Sequence, residues 1–172
     1  MTLPKMCSGI TLSGLIATNS MHFEIPGSGP MDIDTLLLDL NGTLRVGKNL
    51  VPGVDMRIAK LRERLRLILL SGDTRGDAAT LAAELGIEFI HTPTGEDKGA
   101  IVDRLGAEHC ASIGNGLIDL PMVAKARIGI AALQGEGAHM KTLNAATIVV
   151  TNVIDALDLF LDEKGLIATL RE

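Results

Sequence analysis

Short unbroken apolar runs alternate along the chain with stretches whose apolar residues recur every three or four positions. Residues 35–40 (TLLLDL) are apolar up to Asp39, the pattern of a strand buried on both faces. Gly42, Gly47 and the pair Pro52-Gly53 predict a turn-rich excursion, with a small flap hairpin over 44–50. Val54, Ile58, Leu61 and Leu65 then fall on one face of a helix. Arg57, Lys60, Arg62 and Arg64 occupy the other face, which reads as a solvated surface. Residues 65–70 (LRLILL) predict a second buried strand that stops at Ser71-Gly72-Asp73. Ala78, Leu81, Ala82 and Leu85 mark the next helix, closed by Gly86.

The alternation continues with a strand over 87–90, a helix over 97–105 and a strand over 111–113 ending at Gly114-Asn115-Gly116. A short helix over 117–125, strands over 127–131 and 147–150, and a helix over 153–161 complete it. This succession predicts an α/β fold: a three-layer, Rossmann-like, doubly wound and mostly parallel sheet with right-handed crossovers. Residues 21–172 form one domain, because no linker, repeat or low-complexity tract divides them. Residues 1–20 read as a loose tail, and Met21, which opens a strand-like segment at 21–25, offers an alternative start.

Composition narrows the function. The 172 residues are 47% hydrophobic and 22% charged, which suits a globular core and excludes a disordered chain. A net charge of −5 without a basic run excludes the phosphate-tracking surface of a nucleic-acid binder. Three Phe and no Trp or Tyr leave no base-stacking platform. The apolar stretch at 10–18 is interrupted by Ser13 and Gly14 and is too short to span a bilayer, so no membrane role is expected. Cys7 and Cys110 have no pairing pattern, and a reducing, cytoplasmic setting follows. The four histidines show no metal-ligand spacing.

In sheets of this kind, ligands bind just past the carboxyl ends of the strands. Three predicted strand ends there carry polar groups: Asp39-Leu40-Asn41-Gly42-Thr43, Ser71-Gly72-Asp73, and Gly114-Asn115-Gly116 with Asp119. Lys98 opens a helix between the second and third. These residues form a phosphoryl-transfer set: Asp39 as nucleophile, Ser71 and Lys98 on phosphate oxygens, and the last loop on Mg²⁺. Asp119 also fits a helix N-terminal charge, and Asp73 and Arg75 also fit a solvated loop.

The order of these motifs resembles the haloacid dehalogenase superfamily, and within it the phosphorylation domain of P-type ATPases and the small soluble proteins akin to them. Asp39, Gly42 and Thr43 match the first motif, LILLSGDTR with Ser71 the second, Lys98 the third, and GNGLIDLP (114–121) the fourth. The resemblance covers about 35–161 and implies an Mg²⁺-dependent phosphohydrolase that passes through an aspartyl phosphate. It assigns catalysis to Asp39, Asn41, Thr43, Ser71 and Lys98, and substrate contacts to Gly42, Gly72 and Asp73. The metal would be held by Asp39, the Asn41 carbonyl and Asn115, with Asp119 nearby or acting through water.

The family usually inserts a cap domain after the first motif or between the second and third. Only 27 residues separate Thr43 from Ser71, and 26 separate Ser71 from Lys98. The site should therefore be uncapped, which by analogy implies a large phosphorylated substrate or a lid lent by a second copy of the chain. The nucleotide-binding insert of a pump has no room either. Two positions depart from the pattern. Asn41 stands where the phosphatases carry a general acid–base, whose loss costs roughly 10²–10⁴ in rate, and Asn115 stands where a carboxylate ligand is usual. A slow phosphatase is the first expectation; a catalytically impaired phosphate-binding or regulatory module is the second.

Overall fold

The computed structural model describes residues 20–172, so the expected tail up to residue 19, with Cys7, lies outside the described residues. The chain opens with a hairpin, β1 (Met21–Ile25) and β2 (Gly29–Ile33), and passes directly into β3 (Thr35–Asp39). A second small hairpin, β4 (Arg45–Val46) and β5 (Asn49–Leu50), precedes α1 (Val54–Leu61) and β6 (Arg66–Ser71). Then come α2 (Ala78–Leu85), β7 (Glu88–His91), α3 (Gly95–Leu105) and β8 (Cys110–Gly114). A 3₁₀ turn (Leu117–Asp119) leads into α4 (Leu120–Lys125), followed by β9 (Ile128–Ala132), α5 (Met140–Ala145), β10 (Ile148–Val150), α6 (Val153–Leu161) and α7 (Glu163–Leu170).

Six strands form one sheet in the order β10-β9-β8-β3-β6-β7, every pairing parallel. The continuous apolar runs make it so: β3, β8 and β9 are buried at every position, as strands covered on both faces must be. Successive side chains of β3 divide between two cores. Leu36 and Leu38 join the residues of α1, α2 and α6, whereas Leu37 joins Ile101, Val102, Met122 and Val123 of α3 and α4. The result is the expected three-layer, doubly wound architecture without a cap. Between β3 and β6 there is only the β4–β5 hairpin and α1, and between β6 and α3 only α2 and β7.

Several boundaries differ from the sequence reading for local reasons. Helix α1 ends at Leu61, and Leu65 is buried beyond it in the turn. Helix α3 starts at Gly95 rather than 97, because Thr94 and Asp97 form a reciprocal capping box. The 117–125 segment is a 3₁₀ turn followed by a helix that opens with Pro121 in its first turn. β2, α5 and α7 were not expected as elements; α7 packs against β1 and α6 through the buried Leu166.

Topology points to one edge of the sheet. From β3 the chain steps outward to β6 and β7, then α3 carries it back across to β8 on the other side of β3. The carboxyl ends of β3 and β8 therefore flank the switch point, where doubly wound sheets leave a crevice.

Candidate active site

Asp39 is the last residue of β3 and its carboxylate is almost wholly buried. The capping box fixes where α3 begins and so places Lys98 in its first turn, directed into the crevice. Lys98 Nζ donates to Asp39 Oδ1 at 2.7 Å and to Asp119 Oδ1 at 2.6 Å, and only 1% of the residue is exposed. The other oxygen of Asp119 accepts the backbone N–H groups of Asn115 (3.0 Å) and Gly116 (2.8 Å). That approach requires glycine at 114, where a Cβ would lie 2.5 Å from Asp119 Cβ.

The electrostatics follow from two carboxylates around one ammonium. Burial and the neighbouring Asp119 charge raise the Asp39 pKa to about 6, although Lys98 pulls the other way. Burial alone would lower the Lys98 pKa, but the Asp39 and Asp119 carboxylates overcome it and leave it raised. Lys98 is thus held as a cation. Asp39 Oδ2 is buried without a hydrogen-bond partner, one of two such side-chain atoms among the described residues, the other being Thr92 Oγ1.

The loop after β3 turns back sharply on itself. Gly42 adopts φ 82°, and its N–H donates to the Arg45 carbonyl at 2.7 Å, closing a tight turn. Any side chain at 42 would strike the Asn115 amide, 2.4 Å from the Cβ position. Thr43 Oγ1 donates to Asn115 Oδ1 at 3.2 Å, and Asn115 Nδ2 donates to the Gly137 carbonyl at 2.9 Å. Ser71 ends β6 one position beyond Leu70, the register partner of Asp39, and its Oγ accepts the Asp73 N–H at 3.1 Å. Gly72 packs against the backbone of Thr92 and Pro93. Asp73, in the left-handed region at φ 49°, turns its carboxylate to the Ala78 N–H at the start of α2, 2.8 Å away.

The structure therefore links Asp39, Thr43, Lys98, Asn115 and Asp119 around the crevice, with Ser71 on the adjoining strand. Asp73 faces α2. Two residues that the sequence did not single out complete the surroundings. Gln134 Nε2 donates to the carbonyls of Gly42 and Thr43, while its Oε1 accepts the Val153 N–H, bracing the loop against α6. Arg45, 4% exposed, donates Nε and Nη2 to Asn41 Oδ1 (3.2 and 2.8 Å) and Nη1 to Asp77 Oδ2 (2.7 Å).

The oxygen donors fit a hard divalent cation. Asp39 Oδ2 lacks a partner, and the Asn41 carbonyl accepts no hydrogen bond among the described residues. Asn115 Oδ1 carries one 3.2 Å contact and has a lone pair to spare. Mg²⁺ needs only one or two carboxylates besides carbonyls, water and phosphate. Asp119, with both oxygens engaged, would act through water. Among the described residues no group of three or more His, Cys, Asp and Glu side chains is placed to hold a metal, so a cation here would have to rely on one carboxylate, an amide and a carbonyl.

Comparison with known proteins bears on the family and the fold. Residues 26–127 match the family of haloacid dehalogenase-like hydrolases. A chloroplastic copper-transporting ATPase of Arabidopsis thaliana is 31% identical over 129 residues, 69% of this chain and 14% of that protein, so the chain spans about a seventh of its length. The cobalt-bound deoxy-D-mannose-octulosonate 8-phosphate phosphatase of Haemophilus influenzae superposes with a TM-score of 0.66 at 22% identity, covering 77% of this chain and 90% of that one. The 3-deoxy-D-manno-octulosonate 8-phosphate phosphatase of Moraxella catarrhalis, solved with magnesium, phosphate and KDO, gives 0.60 at 22% identity over 81% and 94%. At that identity both structures share the fold. No helix among the described residues is long and apolar enough to cross a membrane.

Proposed function

The chain belongs to the haloacid dehalogenase-like hydrolases, and from that membership we propose an Mg²⁺-dependent phosphohydrolase that acts on phosphate monoesters through an aspartyl phosphate on Asp39. One observation carries the reading. At the carboxyl end of the central strand, Asp39 has one oxygen hydrogen-bonded to Lys98 and one buried oxygen with no partner. Such an atom is costly to leave unmatched and is suited to a cation or an electrophilic phosphorus.

In the first step a carboxylate oxygen of Asp39 attacks phosphorus, the ester P–O bond breaks, and the leaving oxygen departs with its electron pair. Two of the three Lys98 N–H donors are used by Asp39 and Asp119, leaving the third for a phosphoryl oxygen. Ser71 would offer its hydroxyl proton to another, and Thr43, whose hydroxyl donates to Asn115, would hold that amide in place. Water then attacks phosphorus, the P–O bond to Asp39 breaks to regenerate its carboxylate, and inorganic phosphate leaves while the proton lost by the water passes to solvent. Mg²⁺ held by Asp39, the Asn41 carbonyl and Asn115 would supply neutralisation of the phosphoryl charge. The Asn41 amide cannot accept a proton from the attacking water, so the second step is slow. The magnesium and phosphate bound by the Moraxella enzyme support the ligand class. Cys110, buried and unpaired among the described residues, favours a cytoplasmic setting.

Incubation with acetyl phosphate and Mg²⁺, followed by intact-mass spectrometry, tests the reading. A phosphoryl adduct should form and be absent from Asp39→Asn. The asparagines at 41 and 115 favour a second reading, a phosphate-binding module; beryllium fluoride binding without an adduct or turnover would decide for it.

A further inference from the structure

Arg45 is a buried cation with no part in the mechanism above. Its Nε and Nη2 both point at one atom of Asn41, at 3.2 and 2.8 Å. A guanidinium has donors and no acceptor, so the atom facing it is the amide oxygen, and the amide orientation is forced. The opposite end, Asn41 Nδ2, has no partner among the described residues and is not a buried unpartnered atom, so it reaches solvent. Arg45 is itself anchored: Nη1 holds Asp77 Oδ2 ahead of α2, and its backbone N–H and carbonyl close the 40–45 turn on Leu40 and Gly42. Two residues beyond Asp39, at the sequence position where the resemblance would put a proton carrier, the chain therefore has an N–H donor of fixed orientation.

We propose that Arg45 is a positioning residue that locks Asn41 as a hydrogen-bond donor to a bound phosphoryl group, making this a site for acyl and aryl phosphates rather than alkyl esters. The inference rests on the phosphohydrolase reading and narrows its substrate class. A neutral amide donor steadies a phosphoryl oxygen yet gives no proton to a leaving group. When Asp39 attacks an acyl phosphate, the P–O bond breaks and a carboxylate leaves as a stable anion, with no proton required. An aryl phosphate likewise releases a phenolate. An alkyl ester would have to expel an alkoxide, and nothing at Asn41 protonates it.

The test compares phosphoenzyme formation on the full chain with acetyl phosphate, p-nitrophenyl phosphate and glycerol phosphate, each with Mg²⁺. The first two should label Asp39, and glycerol phosphate should label it at least about 10²-fold more slowly, the scale of a missing general acid. Labelling by glycerol phosphate within tenfold of the others overturns the substrate class. For Arg45, the rate with acetyl phosphate is measured for Arg45→Gln alone and in an Asn41→Ala background. A loss of about tenfold, the scale of one hydrogen bond, is expected only where Asn41 is present. An equal loss in both backgrounds overturns the positioning role. A measurement without variants guards against misfolding: the Asn41 side-chain NH₂ signal should shift on titration with inorganic phosphate and Mg²⁺. Shifts at Thr43 and Ser71 without one at Asn41 overturn this inference and leave the phosphohydrolase reading intact. No shift at any of them, with no adduct, overturns both.

Discussion

Two carboxylates share a single ammonium in a pocket from which water is almost excluded, and that imbalance governs the site. The Lys98 side chain is 1% exposed between Asp39 and Asp119. Removing it as Lys98→Met would leave two buried carboxylates facing each other. Breaking a buried pair from one side costs about 3–5 kcal/mol, and with two anions stranded the loss should reach at least the upper end. Urea denaturation is the check, and adding Asp119→Asn to Lys98→Met should recover part of the loss; no recovery would mean that the charges are not its origin. Asp39, Ser71 and Lys98 were legible in the sequence because each sits where an apolar run or a helix pattern begins or ends. Arg45 and Gln134 were not. The direction of a side chain in a short turn follows from its tertiary partners, and no periodicity encodes it.

At the level of elements, buried strands announce themselves and marginal ones do not. β3 and β6 were readable as continuous apolar runs, whereas β2 (GPMDI) carries Gly and Pro and exists because β1 pairs with it from Met21↔Ile33 to Ile25↔Gly29. Helix α7 is short, holds Gly165, and is fixed by Leu166, which is fully buried against the larger core. Leu166→Ala should therefore destabilise by about 2–5 kcal/mol, measured by thermal or urea unfolding, with phosphoenzyme formation by the folded protein unchanged. The β1–β2 hairpin carries its own pH dependence. His22 faces Asp32 across the strands at 2.8 Å and Glu24 along its own strand at 3.0 Å. The Asp32 hydrogen bond first, and Glu24 second, raise the imidazole pKa. The folded hairpin thus prefers the protonated ring. Its contribution is present in full below the ordinary imidazole value and fades as pH rises through the raised one. Amide-exchange protection across the hairpin, corrected for intrinsic rates, should be greater at about pH 6 than at about pH 8. Asp32→Asn should flatten that difference; an unchanged profile would refute the pairing.

The whole molecule places its chemistry on one open edge. Because α3 carries the chain from β7 back across β3 to β8, the helix that makes the topological switch is also the one that delivers Lys98 between Asp39 and Asp119. Fold and site are thus consequences of one crossover, which is why reading the strand order already located the crevice. Nothing in the described fold closes over it: Gln134 braces the loop ahead of the β4–β5 hairpin, and Glu136 braces the hairpin itself, its Oε1 accepting the Gly47 N–H at 2.8 Å. Leu117 and Ile118 lie exposed on the turn beside Asp119. Yet every residue assigned a role here comes from one chain. Turnover of a small aryl phosphate, expressed per chain, should therefore stay constant over about a hundredfold dilution, since a dissociating lid would make it concentration-dependent. A fall in specific activity on dilution, matched by a fall in molecular mass in light scattering, would show instead that the site is completed by association.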